Sequence, residues 1–259
     1  MFMDQRKAKK SLGQYFTRCQ WVISTLVKSA GVGPEDFVLE IGPGTGILTR
    51  ALAAQANRVL AVEKDERLAD ELKKSLKKER CSNVEVVMAD ILRFTPIFSR
   101  YKIVANIPYY LTSRLLRLIF EEWSQPEVLV LTVQKEVAQR IVARPPKMNL
   151  LAFAVQFFGR PEIVKIVPPA CFSPRPKVAS AIIKIVPREK IPVVRQEEVF
   201  RVARAVFSNR RKTVLNNLSG LMGKECAKAI LDKTGIEQRR RGGELAINDI
   251  VSICETMSL

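Results

Sequence analysis

An apolar run, Ile103-Val104-Ala105, gives way abruptly to Asn106-Ile107-Pro108-Tyr109-Tyr110. The amide of Asn106 offers an acceptor and a two-hydrogen donor, Pro108 fixes its own φ and has no N–H, and Tyr109 presents a flat face. Such groups suit a site that grips something planar and polar. If the Asn106 oxygen and a backbone carbonyl at Ile107 or Pro108 accept the two N–H bonds of an exocyclic amine, the nitrogen is held towards tetrahedral geometry. Its lone pair is then withdrawn from the ring, and charge growing on the nitrogen lies between oriented acceptors. Stacking of an extruded base on Tyr109 adds about 1–3 kcal/mol. The chain contains no histidine, which excludes Ser-His-Asp triads, the usual metal sites and an imidazole proton shuttle. The reading therefore needs no strong base, since the amino proton can leave to water, and no metal is expected.

A second cluster precedes this one. Glu40-Ile41-Gly42-Pro43-Gly44-Thr45-Gly46 follows an apolar run, at the strand-to-helix turn where open α/β sheets bind ligands. The spacing is GxGxG, and Ile47 stands where a dinucleotide fingerprint needs its last glycine. Glu63 closes the next apolar run, where a carboxylate can accept from both ribose hydroxyls. Asp90 closes the one after, where it can accept from an exocyclic amino group. Polar groups at successive strand ends without a pyrophosphate grip point to a nucleoside cofactor, S-adenosylmethionine, with Gly42, Gly44, Glu63 and Asp90 as its holders.

These side chains need a scaffold that brings strand ends together. Short apolar runs at 37–41, 58–63, 84–88, 101–106, 127–133 and 180–186 alternate with amphipathic stretches such as ILTRALAAQ and RLADELKKSLKK. That alternation predicts an α/β, Rossmann-like sheet, mainly parallel, with helices on both faces over residues 1–187. After Pro187 the pattern turns to short helices, so residues 188–259 are expected to form a small all-helical C-terminal domain.

Composition bounds the partners. Among 259 residues, 43 Lys and Arg oppose 26 Asp and Glu for a net charge of +17, which favours a polyanion. The five cysteines show no CxxC spacing and are expected to be reduced thiols. No apolar run approaches the roughly 20 residues of a membrane span, and the basic start has no apolar segment behind it, so a cytoplasmic location without membrane contact is expected.

Several stretches carry a resemblance: KKSLGQYF (9–16), LEIGPGTGILT (39–49), VEKD (62–65), ADIL (89–92), NIPYYLTS (106–113), QKEVAQRI (134–141) and PPACFSPRPKVASA (168–181). The chain closely resembles the KsgA-type rRNA adenine N6,N6-dimethyltransferases, with the Erm rRNA methyltransferases as cousins. The resemblance implies that the basic segment 1–18 covers the cofactor, with Tyr15, Thr17, Gly42, Gly44, Glu63, Asp90 and Asn106 as its neighbours. It implies that Asn106, Pro108 and Tyr109 face the target adenine, with Phe172 as a second stacking ring. VFSNRRKTVLNNL (206–218) and GIEQRRRGGELAINDI (235–250) resemble KsgA more than Erm, which makes Arg210, Arg211 and Lys212, and secondarily Arg239, Arg240 and Arg241, candidates for RNA phosphates. The chain departs from the pattern at GQYFT (13–17), where GQNFL or GQHFL is common, and at PPKMNLLAF (145–153), which lacks a Tyr-Gly.

The activity so implied is twofold methylation of two adjacent adenines near the 3′ end of small-subunit rRNA, by a monomer acting within an assembling small ribosomal subunit. An Erm-like modification of large-subunit rRNA is the enzymatic alternative. A ribosome-assembly factor that binds RNA without needing its chemistry is the non-enzymatic one.

Overall fold

The structure is a computed structural model and describes residues 14–189 and 195–257. Most of the basic segment expected to cover the cofactor, residues 1–13, and residues 190–194 of the expected domain junction lie outside the described residues.

A two-residue strand β1 (Phe16–Thr17) precedes helix α1 (Gln20–Ala30). Val22, Ile23, Leu26, Val27 and Ala30 are buried on α1, the three-and-four spacing of one helical face, and Gly31 ends the helix in the left-handed conformation. There follow β2 (Phe37–Ile41), α2 (Ile47–Ala53), β3 (Arg58–Glu63), α3 (Glu66–Lys78), β4 (Val84–Met88), β5 (Lys102–Asn106), α4 (Thr112–Glu121) and β6 (Val128–Gln134). After helices α5 (Lys135–Ile141) and α6 (Leu150–Phe158) come β7 (Gly159–Val167), the short β8 (Phe172–Ser173) and β9 (Ser180–Pro187).

Seven strands form one sheet in the order β4-β3-β2-β5-β6-β9-β7. β2 through β6 pair in parallel, and β9 runs antiparallel to β6. Consecutive residues of β3 and β6 are buried, as a sheet covered on both faces requires. The chain leaves β2 on one side to build β3 and β4, then returns to lay β5 against its other edge. Between the C-terminal ends of β2 and β5 lies the topological switch point where such sheets bind ligands. The glycine turn and Asn106 are the two segments that emerge there.

All six expected strands are present within one residue at each end, and β7 is additional. Its sequence GRPEIVKIV carries charge and a proline on an edge with five exposed positions, so no apolar run marks it.

Two compact units divide the chain. One comprises the residues up to Ala138 together with Pro161–Pro187, and the other comprises Gln139–Arg160 together with the chain from Arg188 onward. The expected boundary after residue 187 thus leaves out residues 139–160, which group with the C-terminal helices. The reason is aromatic packing: Phe153 and Phe157 of α6 lie edge-on to Phe200 at 5.7 and 5.6 Å between ring centroids. The rest of this unit is α7 (Gln196–Val206), α8 (Val214–Met222), α9 (Lys224–Thr234) and α10 (Ile247–Met257).

Candidate active site

The turn after β2 is built on three residues of positive φ, Gly42 (+68°), Gly44 (+56°) and Gly46 (+77°). Gly44 is also required by space, because a Cβ there would meet the Phe16 ring at 2.8 Å. β1 therefore sits directly on the turn. Its backbone pairs with β8, Phe16 opposite Ser173 and Thr17 opposite Phe172.

Glu63 ties the turn to the end of β3. The Gly44 N–H donates to Oε2 at 3.0 Å and the Asp65 N–H donates to Oε1 at 2.9 Å. Burial pushes the carboxyl above the usual range, offset in part by these backbone donors. The acceptor capacity that remains on the carboxylate suits a further donor, such as a vicinal diol.

Two residues of this region have no role that the motifs assign. Arg50 on α2 braces the turn from behind: Nη1 donates to the carbonyls of Gly46 at 2.9 Å and Thr45 at 3.2 Å. The rest of its guanidinium meets Glu79 through two 2.8 Å bonds and Ser75 at 2.6 Å. That fork holds the Glu79 carboxyl down to about 2. Glu40 lines the cleft from β2, almost wholly buried, and burial pushes its carboxyl up to about 8. The Thr49 hydroxyl softens that penalty, but among the described residues neither it nor Glu40 Oε2 completes a hydrogen bond.

The Asp90 carboxylate already has a partner on each oxygen. Its Oδ1 accepts from the Leu92 N–H as the cap of a helical turn at Ile91–Arg93, and its Oδ2 pairs with Lys64 Nζ at 2.8 Å. Its neighbours Ala89 and Ile91 line the cleft, whereas the carboxylate does not.

Asn106 closes β5 half-buried, and its Nδ2 donates to the Tyr15 carbonyl at 2.9 Å. With the amide so oriented, Oδ1 is the group left to accept. Pro108 caps the turn Tyr109–Leu111, and its carbonyl accepts from the Leu111 N–H at 3.0 Å. That leaves Ile107 as the better source of a second acceptor. The Tyr109 hydroxyl shares a 2.6 Å hydrogen bond with Ser180 Oγ, and its ring stacks on Tyr15 at 5.2 Å between centroids and 28° between planes. Thr17 is buried at the cleft wall.

Phe172 does not reach the cleft. Its ring is buried in the apolar cluster of α1 and the sheet, with Val22, Leu26, Val104 and Ile182, because β8 turns it inward where it pairs with β1. The role of second stacking ring therefore does not fit it in this conformation. The expectation of reduced cysteines is also overturned at one pair: Cys19 and Cys171, 152 residues apart in sequence, form a disulfide. Neither lies in a motif that pairs cysteines, and only the meeting of β1 with β8 brings them together. Cys81, Cys226 and Cys254 form no disulfide among the described residues.

In the C-terminal unit, Arg210, Arg211 and Lys212 are all exposed in the turn between α7 and α8. Asn209 shapes that turn, its Oδ1 accepting from the Arg211 N–H and its carbonyl from Asn217 Nδ2 and the Lys212 N–H. Among the described residues no carboxylate pairs with these three cations. The second basic run is partly spent internally, since Arg240 donates to the Glu244 carbonyl and pairs with Asp249.

The cleft framed by the turn, Glu63 and Asn106 encloses about 990 Å³, open solvent included. A Cβ built at Gly42 would meet nothing within 4 Å, which leaves backbone open to a ligand. Glycine backbone, an acceptor at Glu63, the uncompleted carboxyl of Glu40 and the apolar wall of Ile91 fit a nucleoside cofactor carrying a charged amino-acid tail. Among the described residues no group of acidic, cysteine or histidine side chains has metal-binding geometry, and no helix is long and apolar enough to cross a membrane.

Residues 5–258 match the family model described as ribosomal RNA adenine dimethylase. A protein of Dehalococcoides mccartyi named ribosomal RNA small subunit methyltransferase A is 40% identical over 257 residues, covering 96% of this chain and 88% of its own length. A protein of the same name from Pelotomaculum thermopropionicum is 40% identical over 96% of this chain and 90% of its own. Among solved structures, a dimethyladenosine transferase from Plasmodium falciparum superposes with a TM-score of 0.80 at 28% identity, over 92% of this chain and 95% of that one. The 23S rRNA methyltransferase ErmE superposes at 0.76 with 27% identity, over 94% and 100%.

Proposed function

This chain belongs to the ribosomal RNA adenine dimethylase family, and from that premise we propose that it dimethylates two adjacent adenines near the 3′ end of small-subunit rRNA. The observation that carries the choice of substrate is the identity of about 40%, over nearly the whole chain, to proteins named as small-subunit rRNA methyltransferases. The likeness to ErmE supports the shared fold and chemistry but is weaker in identity.

S-adenosylmethionine, when bound, supplies an electrophilic methyl group. Gly42 offers it backbone without side-chain obstruction, Gly44 lets Phe16 lie close over the turn, and Glu63 accepts from its ribose hydroxyls. Ala89 and Ile91 provide a wall for its adenine, while Asp90 shapes the turn that carries them. Thr17, on the strand that sits on the glycine turn, helps exclude water.

The work on the target base falls to the end of β5. Asn106 Oδ1 and the Ile107 carbonyl accept from the exocyclic amine and aim its lone pair at the methyl donor, where pre-oriented acceptors stabilise the growing charge. The ring of Tyr109 supports the base, and the hydrogen bond to Ser180 fixes that ring. The proton released from nitrogen passes to water.

Arg210, Arg211 and Lys212 supply sequence-independent grip on phosphates. The substrate is RNA within an assembling small subunit, the protein acts as a monomer, and its place is the cytoplasm. Methyl-labelled cofactor offered with assembling small subunits or with naked large-subunit rRNA, followed by mapping of the label, tests the reading. Label in adjacent adenines of the small subunit is expected. Label in large-subunit rRNA alone would overturn the substrate assignment.

A further inference from the structure

Three features fix where Tyr15 lies. Its carbonyl accepts from Asn106 Nδ2, its ring stacks on Tyr109, and both it and Tyr109 line the cleft. The residues that follow it are firmly held: Phe16 and Thr17 pair with β8, the Arg18 N–H donates to the Cys171 carbonyl at 2.7 Å, and Cys19 is bonded to Cys171. The backbone that follows Tyr15 is thus held, and rotation of the side chain is the movement that can clear the ring from Tyr109.

The ring spacing is incompatible with an adenine between the two tyrosines. An intercalated base needs a van der Waals contact of about 3.5 Å on each side, roughly 7 Å in all, against the 5.2 Å observed between centroids. A base stacking on that face of Tyr109 must displace Tyr15. The same position explains how the cleft is kept in order without RNA: a half-buried aromatic face is covered, and the Asn106 amide is held with Oδ1 free to accept.

We propose that Tyr15 is a placeholder for the target adenine: its ring occupies the stacking face of Tyr109 and rotates away when the base enters, while its backbone keeps hold of Asn106. This rests on the reading that the target adenine stacks on Tyr109. Tyr15 is accordingly a positioning residue that sets how readily an extruded base is accepted. Replacement of the ring removes a competitor, so entry becomes easier, not harder. A ring–ring contact of ordinary strength corresponds to about a 2- to 10-fold shift in that equilibrium.

The test uses a small-subunit rRNA substrate carrying 2-aminopurine at the target adenine, bound to the full chain without cofactor. Fluorescence lifetimes separate base stacked in RNA from base extruded into the protein. Tyr15→Ala and Tyr15→Asn are expected to raise the ratio of extruded to stacked base about 2- to 10-fold, and Tyr15→Phe, which keeps the ring, to match the parent protein. An unchanged or lowered ratio in both Ala and Asn variants would overturn the placeholder role, since a ring that holds the base would show that loss. Tyr109→Ala distinguishes the two levels of the argument. If it leaves extrusion in the parent background unchanged, the stacking assignment itself fails, whereas sensitivity to Tyr109 without sensitivity to Tyr15 removes only the placeholder.

Discussion

Asn106 Nδ2 donates to the Tyr15 carbonyl at 2.9 Å, across 91 residues of sequence. A single hydrogen bond thereby fixes which way the amide faces, and it joins the segment over the glycine turn to the end of β5, the strand proposed to meet the base. The proposed cofactor side and the proposed target side share this contact.

Glu63 holds the turn through two backbone donors and is proposed to accept from a ribose. Glu63→Gln replaces one acceptor oxygen with an N–H₂ facing other donors, and loss of hydrogen bonds to a charged group costs about 1.5–3 kcal/mol. Cofactor affinity, measured by calorimetry, should fall about 10- to 100-fold. Because the folded carboxyl titrates above the ordinary range, the parent protein should lose cofactor affinity on acidification at a higher pH than an unperturbed carboxylate would. The Gln variant should lack that dependence.

Glu40 gives a prediction about stability. Its carboxyl is held at about 8 in the fold against 4.5 for an exposed glutamate. Between those values the folded state keeps a proton that the unfolded chain has released. Stability from this group is therefore full below about pH 4.5, declines as pH rises, and reaches its minimum above about pH 8. Glu40→Gln removes the penalty at high pH, so the Tm of the variant relative to the parent should climb between about pH 5 and pH 8. Parallel Tm curves would refute the assignment of a neutral Glu40.

Arg210, Arg211 and Lys212 share one exposed turn. If each meets one phosphate, neutralising all three should lower the slope of log affinity against log salt by about 2–3 units and weaken RNA binding with little regard to sequence. Filter binding across a salt series reads both. An unchanged slope would remove this turn from the RNA interface.

How much of this was legible in the sequence follows from what each feature depends on. The parallel strands were readable because burial on both faces leaves uninterrupted apolar runs, and the glycine turn, Glu63 and Asn106 were readable because they sit at the ends of those runs. β7 was not, since Arg160, Pro161, Glu162 and Lys165 hide an edge strand. The grouping of residues 139–160 with the C-terminal unit depends on which partner the phenylalanines of α6 find, and periodicity does not state that. Asp90 stands at the expected strand end, but the sequence does not show that Lys64 and the Leu92 N–H each donate one hydrogen bond to its carboxylate. Phe172 and the Cys19–Cys171 bond both hinge on the pairing of β1 with β8, two strands of two residues each, too short to leave a pattern.

The most direct test of the account is single-turnover methylation of assembling small subunits by Asn106→Ala at saturating cofactor, with cofactor affinity measured separately. Loss of an oriented transition-state partner predicts a rate lower by about 10²-fold or more, in a protein that still binds the cofactor. A rate equal to that of the parent protein would contradict the claim that this amide holds the adenine amino group for transfer.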